Sequence, residues 1–201
     1  MRALVHLLLW RVGLAGAETQ TTPAERDCLA RHVGGKKRPV EIGVWHGVTT
    51  CRLRAEMASD GVLIAVDPYP IGRLGFSAQR YIASKEVGKV HNGSVRWIRS
   101  TGVRAARDYA LSGSHPVDFV FLDADHSYQG LRDDWDAWSS LVAPNGIVAL
   151  HDSRSSAARQ IEDAGSVVIT REVILHDVRF ELLETVDTLT VLRRRIEHEF
   201  P

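Results

Sequence analysis

VDFVFLDADHSYQGLRDDWDAW, residues 117–138, passes from an apolar run straight into acid. Phe119, Val120, Phe121 and Leu122 form a short continuous apolar stretch, which reads as a strand buried on both faces. Asp123, Asp125 and His126 follow at once, and a helix is expected over Leu131–Leu141. A strand that delivers two carboxylates and an imidazole to its own carboxyl end and then turns into a helix is part of a βαβ unit.

The same alternation extends in both directions. Val40-Glu41-Ile42-Gly43 reads as a strand ending in a glycine turn, Val48–Ala58 as a helix, and Val62–Val66 as a buried strand stopped by Asp67-Pro68. Ser94–Arg99 is a weaker strand, Ala105–Leu111 a helix, and Gly146–Leu150 another strand. Toward the C-terminus, Val167–Val173 and Thr185–Leu192 are rich in β-branched residues and predict an antiparallel hairpin on the sheet edge. The fold class is therefore α/β. The expectation is a single doubly wound, Rossmann-like domain with a mostly parallel seven-stranded sheet and a C-terminal antiparallel hairpin.

The bulk composition is consistent with that. A chain of 201 residues with 44% hydrophobic content suffices for one well-buried core. Lys plus Arg equals Asp plus Glu at 25 each, so no global field draws nucleic acid or an anionic membrane. Lys36-Lys37-Arg38 and Arg193-Arg194-Arg195 are short basic runs of the kind found at solvated ends. Cys28 and Cys51 make neither a disulfide framework nor a zinc spacing, which favours a reducing, cytoplasmic setting. Residues 1–16, MRALVHLLLWRVGLAG, share features with a signal peptide, but His6 and Arg11 break the short apolar run. The preferred reading is an N-terminal helix or extension over residues 1–20, with the domain proper at 21–201, and no membrane span.

Ligands in doubly wound sheets bind beyond the carboxyl ends of the strands. Glu41 to Gly47, Asp67, Ser100-Thr101, Asp123 to His126 and His151-Asp152 all fall at such ends and outline one site. The first turn, VEIGVWHGVTT, has the spacing ExGxxxG rather than the GxGxxG that lets a pyrophosphate approach bare backbone. Glu41 would repel a pyrophosphate but suits a cationic, phosphate-free ligand such as S-adenosylmethionine. Gly43 and Gly47 permit the tight turn, and Asp67 can accept hydrogen bonds from both ribose hydroxyls.

Those residues carry a resemblance. With FLDADHSY, the W-x-x-L-x-P-N-G turn and ALHDS as its most specific parts, the chain resembles the class I S-adenosylmethionine-dependent methyltransferases from about Thr21 to Leu150. Within them it is similar to the metal-dependent small-molecule O-methyltransferases, the catechol, caffeoyl-coenzyme A and macrolide-sugar enzymes. The resemblance implies S-adenosylmethionine at Glu41, Gly43, Gly47, Asp67, Ser100, Thr101 and Asp123. It further implies Mg²⁺ on Asp123 and Asp152, with Ser153 where the family has Asn, and His126 as the base that deprotonates the acceptor. Magnesium favours oxygen ligands at about 2.1 Å. A metal-bound hydroxyl is more acidic, and a neighbouring imidazole can take its proton. His151 offers a second imidazole as an alternative base.

The implied acceptor is a small molecule, a sugar or secondary metabolite, with no nucleic acid and with a homodimer left open. Three other readings stay open at this point. They are a non-catalytic S-adenosylmethionine-binding partner, a nicotinamide oxidoreductase, disfavoured by the missing GxGxxG, and a metal-dependent hydroxylase using His126, His151 and Asp152. Asp133, Asp134 and Asp136 are expected to form a solvated helix face. Thr21–Glu25 is expected to cap a helix that covers the cofactor, and Pro68–Phe76 to be a loop placed to gate the acceptor.

Overall fold

The computed structural model describes residues 2–72 and 75–196. The chain begins with helix α1 (Arg2–Arg11) and α2 (Pro23–Val33). Strands then alternate with helices: β1 (Pro39–Ile42), α3 (Val48–Glu56), β2 (Val62–Val66), α4 (Ala78–Val87), β3 (Ser94–Ile98), α5 (Gly102–Leu111), β4 (Val117–Leu122), α6 (Tyr128–Trp138) and β5 (Val142–Leu150). It closes with α7 (Gly165–Glu172), β6 (Phe180–Val186) and β7 (Leu189–Arg194).

The sheet order is β3-β2-β1-β4-β5-β7-β6. The first five strands pair in parallel, and β7 runs antiparallel to both β5 and β6. Residue alternation along β4 distributes the core between two faces. Val120 and Leu122 pack with Trp135 and Trp138 of α6, while Phe119 and Phe121 pack with Leu29 of α2 and Leu53 of α3. Both faces of β4 are covered from Phe119 to Leu122, so that part of the strand reads as an unbroken apolar run. The strand order reverses between β1 and β4, where the turns after the two strands part and leave the crevice that holds the site.

One expectation needs correction. Val167–Val173 is not a strand: it lies mostly in α7, and the hairpin is built from β6 and β7 around a turn at Asp187. The buried residues of α7 are Ser166, Val167, Ile169 and Thr170, which recur at helical spacing. Thr170 returns its hydroxyl proton to the Ser166 carbonyl one turn back. Tertiary burial against α6 thus overrides the β propensity of the branched residues. A helix at Ala78–Val87, capped by Ser77 on the Arg80 amide, also stands where the sequence offered no clear element.

At the other end, Thr22 and Glu25 form a capping box at the start of α2. Helix α1 lies against α4, where Trp10 donates from its indole N–H to Glu86 at 2.7 Å and meets Tyr81 edge-on. Among the described residues no helix is long and apolar enough to cross a membrane. Arg73 and Leu74 of the expected gating loop lie outside the described residues.

Candidate active site

A cavity of about 820 Å³ opens over the carboxyl ends of β1, β2, β3 and β4. Glu41, Gly43, Asp67, Ser100, Thr101, Asp123 and His126 all line it, so the strand ends do converge. Gly43 has φ +90°, and a Cβ there would collide with the Asp123 carbonyl. Glycine is what lets the β1 turn lie against the β4 turn. Gly47 does not line the cavity; it is a left-handed residue opening α3 and packs against Ala83 and Val87 of α4. Its contribution is to the turn and the helix packing rather than to ligand contact.

Two carboxylates on the cavity wall differ in how they are held. Asp67 accepts from the backbone N–H groups of Val44 and Trp45 through Oδ2 at 3.0 and 3.1 Å, and from Tyr69 through Oδ1 at 2.8 Å. That fixes the carboxylate and leaves lone pairs for a ligand. Glu41 is 1% exposed; its oxygens make no well-aligned hydrogen bond, and among the described residues Thr50 is the one side chain near enough to favour its charged form. Burial pushes its carboxyl well above the usual range; Thr50 opposes the shift, and Asp123 and Asp67 add to it. A desolvated acid with free lone pairs on a cavity wall is matched by a ligand that brings positive charge.

The acceptor side is built on Asp123, one step beyond β4. Its Oδ1 lies 3.2 Å from His126 Nε2 and 2.7 Å from His151 Nδ1. His126 Nδ1 is 3.0 Å from Asp152 Oδ2, and Arg159 reaches the same oxygen at 2.6 Å. On the far side, His151 Nε2 lies 3.4 Å from Glu25 of α2. Three carboxylates therefore face three basic groups. Contacts with Asp123 and then Asp152 raise the His126 pKa to about 9. Burial works to lower that of His151, but Asp123 and Glu25 carry it up to about 10. Burial likewise works to raise the acids, yet His126, His151 and Arg159 hold Asp152 below the ordinary range, and His151 and Thr188 do the same for Glu25. At neutral pH the cluster is a set of compensated ion pairs.

The two imidazoles are placed differently in that arrangement. His126 faces the cavity, whereas His151 is fully buried behind it and positions Asp123. The Ser153 hydroxyl is taken up by packing: it lies within hydrogen-bond distance of Leu150 O, Thr188 O and Thr190 Oγ1 and ties β5 to β7. Magnesium does not fit what remains. The groups that converge within 4.8 Å are Asp123, His126 and His151, a set with two nitrogens for one oxygen, whereas magnesium takes oxygen. Asp152 is already met by an arginine at 2.6 Å.

Other functional residues escaped the sequence reading. Glu25 was visible as a helix cap, but its reach to Thr188 and His151 is tertiary. Arg159 comes from a loop with no motif. Ser166 opens α7 by donating its amide to the His126 carbonyl and its hydroxyl to the Asp152 carbonyl, at 2.9 and 2.6 Å. It holds the two turns in register. Asp134, expected on a solvated face, is buried and lines the cavity.

Comparison with known proteins follows this geometry. A family described as "Methyltransferase domain" matches residues 40–153, which span β1 through the turn after β5. No curated protein sequence matches. Among solved structures, the chain is similar to the O-methyltransferase TomG from Streptomyces achromogenes, involved in tomaymycin synthesis and solved with S-adenosylmethionine. The TM-score is 0.68 at 17% identity, over 98% of this chain and 91% of that one. An O-methyltransferase from Bacillus cereus in complex with SAH gives 0.63 at 16% identity, over 96% and 91%. An rRNA methylase from Streptococcus thermophilus gives 0.60 at 13%, over 89% and 100%. The shared fold thus serves more than one class of acceptor.

Proposed function

We propose, because this chain belongs to the methyltransferase domain family, that it transfers a methyl group from S-adenosylmethionine to a hydroxyl of a small molecule, a sugar or secondary metabolite. The observation that carries the reading is Glu41, a buried carboxyl whose oxygens make no well-aligned hydrogen bond, on the wall of the cavity that Asp67 and His126 also line. An ammonium and a sulfonium supply the charge Glu41 lacks. Asp67, immobilised by three backbone N–H groups, is set to accept from two ribose hydroxyls. When bound, the cofactor supplies an electrophilic methyl group. The protein's part is to orient the acceptor oxygen in line with it and to remove the hydroxyl proton.

His126 is the residue for that proton. Its ring lines the cavity, with Nε2 3.2 Å from Asp123 Oδ1 and Nδ1 3.0 Å from Asp152 Oδ2. The neutral ring takes the acceptor's proton at Nε2 when the acceptor hydroxyl replaces Asp123 at that nitrogen, while Asp152 at Nδ1 stabilises the imidazolium that results. Because those carboxylates raise its pKa to about 9, the basic form grows in as the pH rises toward that value. Near-equal numbers of acidic and basic side chains give no field for a polyanionic acceptor, which favours a small one over RNA.

Calorimetric titration with S-adenosylmethionine tests the cofactor reading. The wild type binds it, and Asp67→Ala binds at least about tenfold more weakly, since each hydrogen bond to a charged group contributes roughly 1.5–3 kcal/mol. An unchanged dissociation constant in the folded variant would falsify the role of Asp67.

A further inference from the structure

Away from the cavity, another group of metal-ligating side chains gathers where α2 meets the edge hairpin. Cys28 and His32 are four residues apart and so share one face of α2. Glu184 of β6 faces them, with Oε1 2.6 Å from His32 Nε2. One ligand atom from each of the three lies within 4.8 Å of the others, and none of the three lines the cavity.

Glu184 reaches this place through a bulge in β6. Leu182 stands opposite Leu192 and Glu184 opposite Val191, so Leu183 is the extra residue. In regular pairing Leu183 would stand opposite Val191, whose side chain packs with Cys28 and Leu29 of α2. The bulge thus sets a carboxylate, in place of a leucine, over a buried cysteine, and leaves Leu183 37% exposed. Arg31 also meets Glu184, at 3.1 Å, but its side chain is 59% exposed. Ion pairs that open to water contribute little, so this one does not account for the bulge.

Thiolate, imidazole and carboxylate are the ligands zinc takes, three from the protein with a fourth position left to water. Zinc holds them at about 2.0–2.3 Å, which sets neighbouring ligand atoms roughly 3–4 Å apart. Rotation of the His32 and Glu184 side chains, both partly exposed, opens their 2.6 Å contact to that spacing. Burial, and then the charge of Glu184, push the Cys28 thiol up to about 12. A divalent cation removes that opposition: the metal–sulfur bond forms as the thiol proton leaves to solvent.

We propose that Cys28, His32 and Glu184 form a zinc site that clasps the edge hairpin to α2. His32 and Glu184 are 152 positions apart, so the spacing of the cysteines along the chain gives no sign of it. The site stands or falls independently of the S-adenosylmethionine reading.

Cobalt(II) in place of zinc tests it. Only a thiolate ligand gives intense sulfur-to-cobalt charge-transfer absorption, which separates this site from the histidine–carboxylate groups His6–Glu18–His46 and Asp123–His126–His151. Titration of the reduced, metal-free full chain is expected to saturate the band at one equivalent, and zinc to bleach it. Cys28→Ala should abolish the band, and Cys51→Ala should leave it. His32→Gln and Glu184→Gln should each weaken cobalt binding, read from the band, by at least about tenfold. Those two side chains are partly exposed, so both variants test the site even where Cys28→Ala fails to fold. Zinc should raise the unfolding temperature of the wild type more than that of either variant. No band in the wild type, a band lost in Cys51→Ala but kept in Cys28→Ala, or unchanged cobalt affinity in either folded glutamine variant overturns the site. Glu184 would then serve only as the ion-pair partner of Arg31 and His32.

Discussion

The two walls of the cavity treat negative charge in opposite ways. On the β1–β2 side, Glu41 is buried and its oxygens make no well-aligned hydrogen bond. On the β4–β5 side, Asp123, Asp152 and Glu25 are matched by His126, His151 and Arg159 within 2.6–3.4 Å. A buried uncompensated carboxyl costs stability until a cation arrives, so the first wall is preorganised to bind. The second wall has its charges matched at short distance. The side-chain atoms of His151 and Asp152 make no well-aligned hydrogen bond, so this wall holds its groups in position through ion pairing and responds to pH. The difference separates the two jobs of the site, capture of a cationic cofactor and handling of the acceptor's proton.

The largest expected effect breaks the second wall. His126→Ala should lower turnover by about 10²–10⁴, the range for loss of a general base, with the dissociation constant for S-adenosylmethionine unchanged. A fall of less than fivefold in steady-state assays would remove His126 from proton transfer. The first wall is tested next. Glu41→Gln keeps the shape and removes the charge, and should weaken S-adenosylmethionine by about tenfold or more. Because the Glu41 carboxyl is raised in the folded state, its ionisation costs stability as the pH rises, so the ligand-free variant should melt higher at neutral pH. Weaker binding together with a lower melting temperature would assign Glu41 to the fold instead.

A pH series sharpens the contrast. Turnover should rise with pH through about 9, the value set for His126 by Asp123 and Asp152. Asp152→Asn should move that limb toward the ordinary imidazole value near 6.5. The ion pairs of His126 and His151 stabilise the fold fully below about 6.5 and are lost as the pH rises through 9 to 10, so thermal stability should decline over that window. A pH-independent melting temperature there would show the imidazoles to be neutral. The smallest effect is expected from chelation. With Arg159 on Asp152 and Ser153 turned into the β5–β7 packing, turnover in excess EDTA should stay within about twofold. Abolition of activity, restored by a divalent metal, would make the cluster a metal centre.

Much of the site was legible because it lies at strand ends. In a doubly wound sheet, a polar residue directly after a buried strand reaches the common crevice whatever the rest of the chain does. Glu41, Asp67, Ser100, Thr101, Asp123 and His126 could all be named in that way. The residues that escaped come from helices and loops whose placement depends on packing. Asp134 has the same helical spacing as an exposed acid, and only the contact of α6 with α5 across Gly102 makes it a buried one. Val167 to Glu172 has the composition of a strand, and only burial against α6 makes it helical.

By itself, the sequence determined the parallel core, the crevice and the acids around it, because hydrophobic periodicity and strand-end polarity are local properties that the chain carries wherever it goes. The tertiary structure alone decided the charge states. His126 meets Asp152, and His151 meets Asp123 and Glu25, only after β5 has paired with β4 and α2 has packed behind them. A pKa depends on burial and on neighbours a few ångströms away, and apart from Asp123, three residues from His126, those neighbours are far apart along the chain.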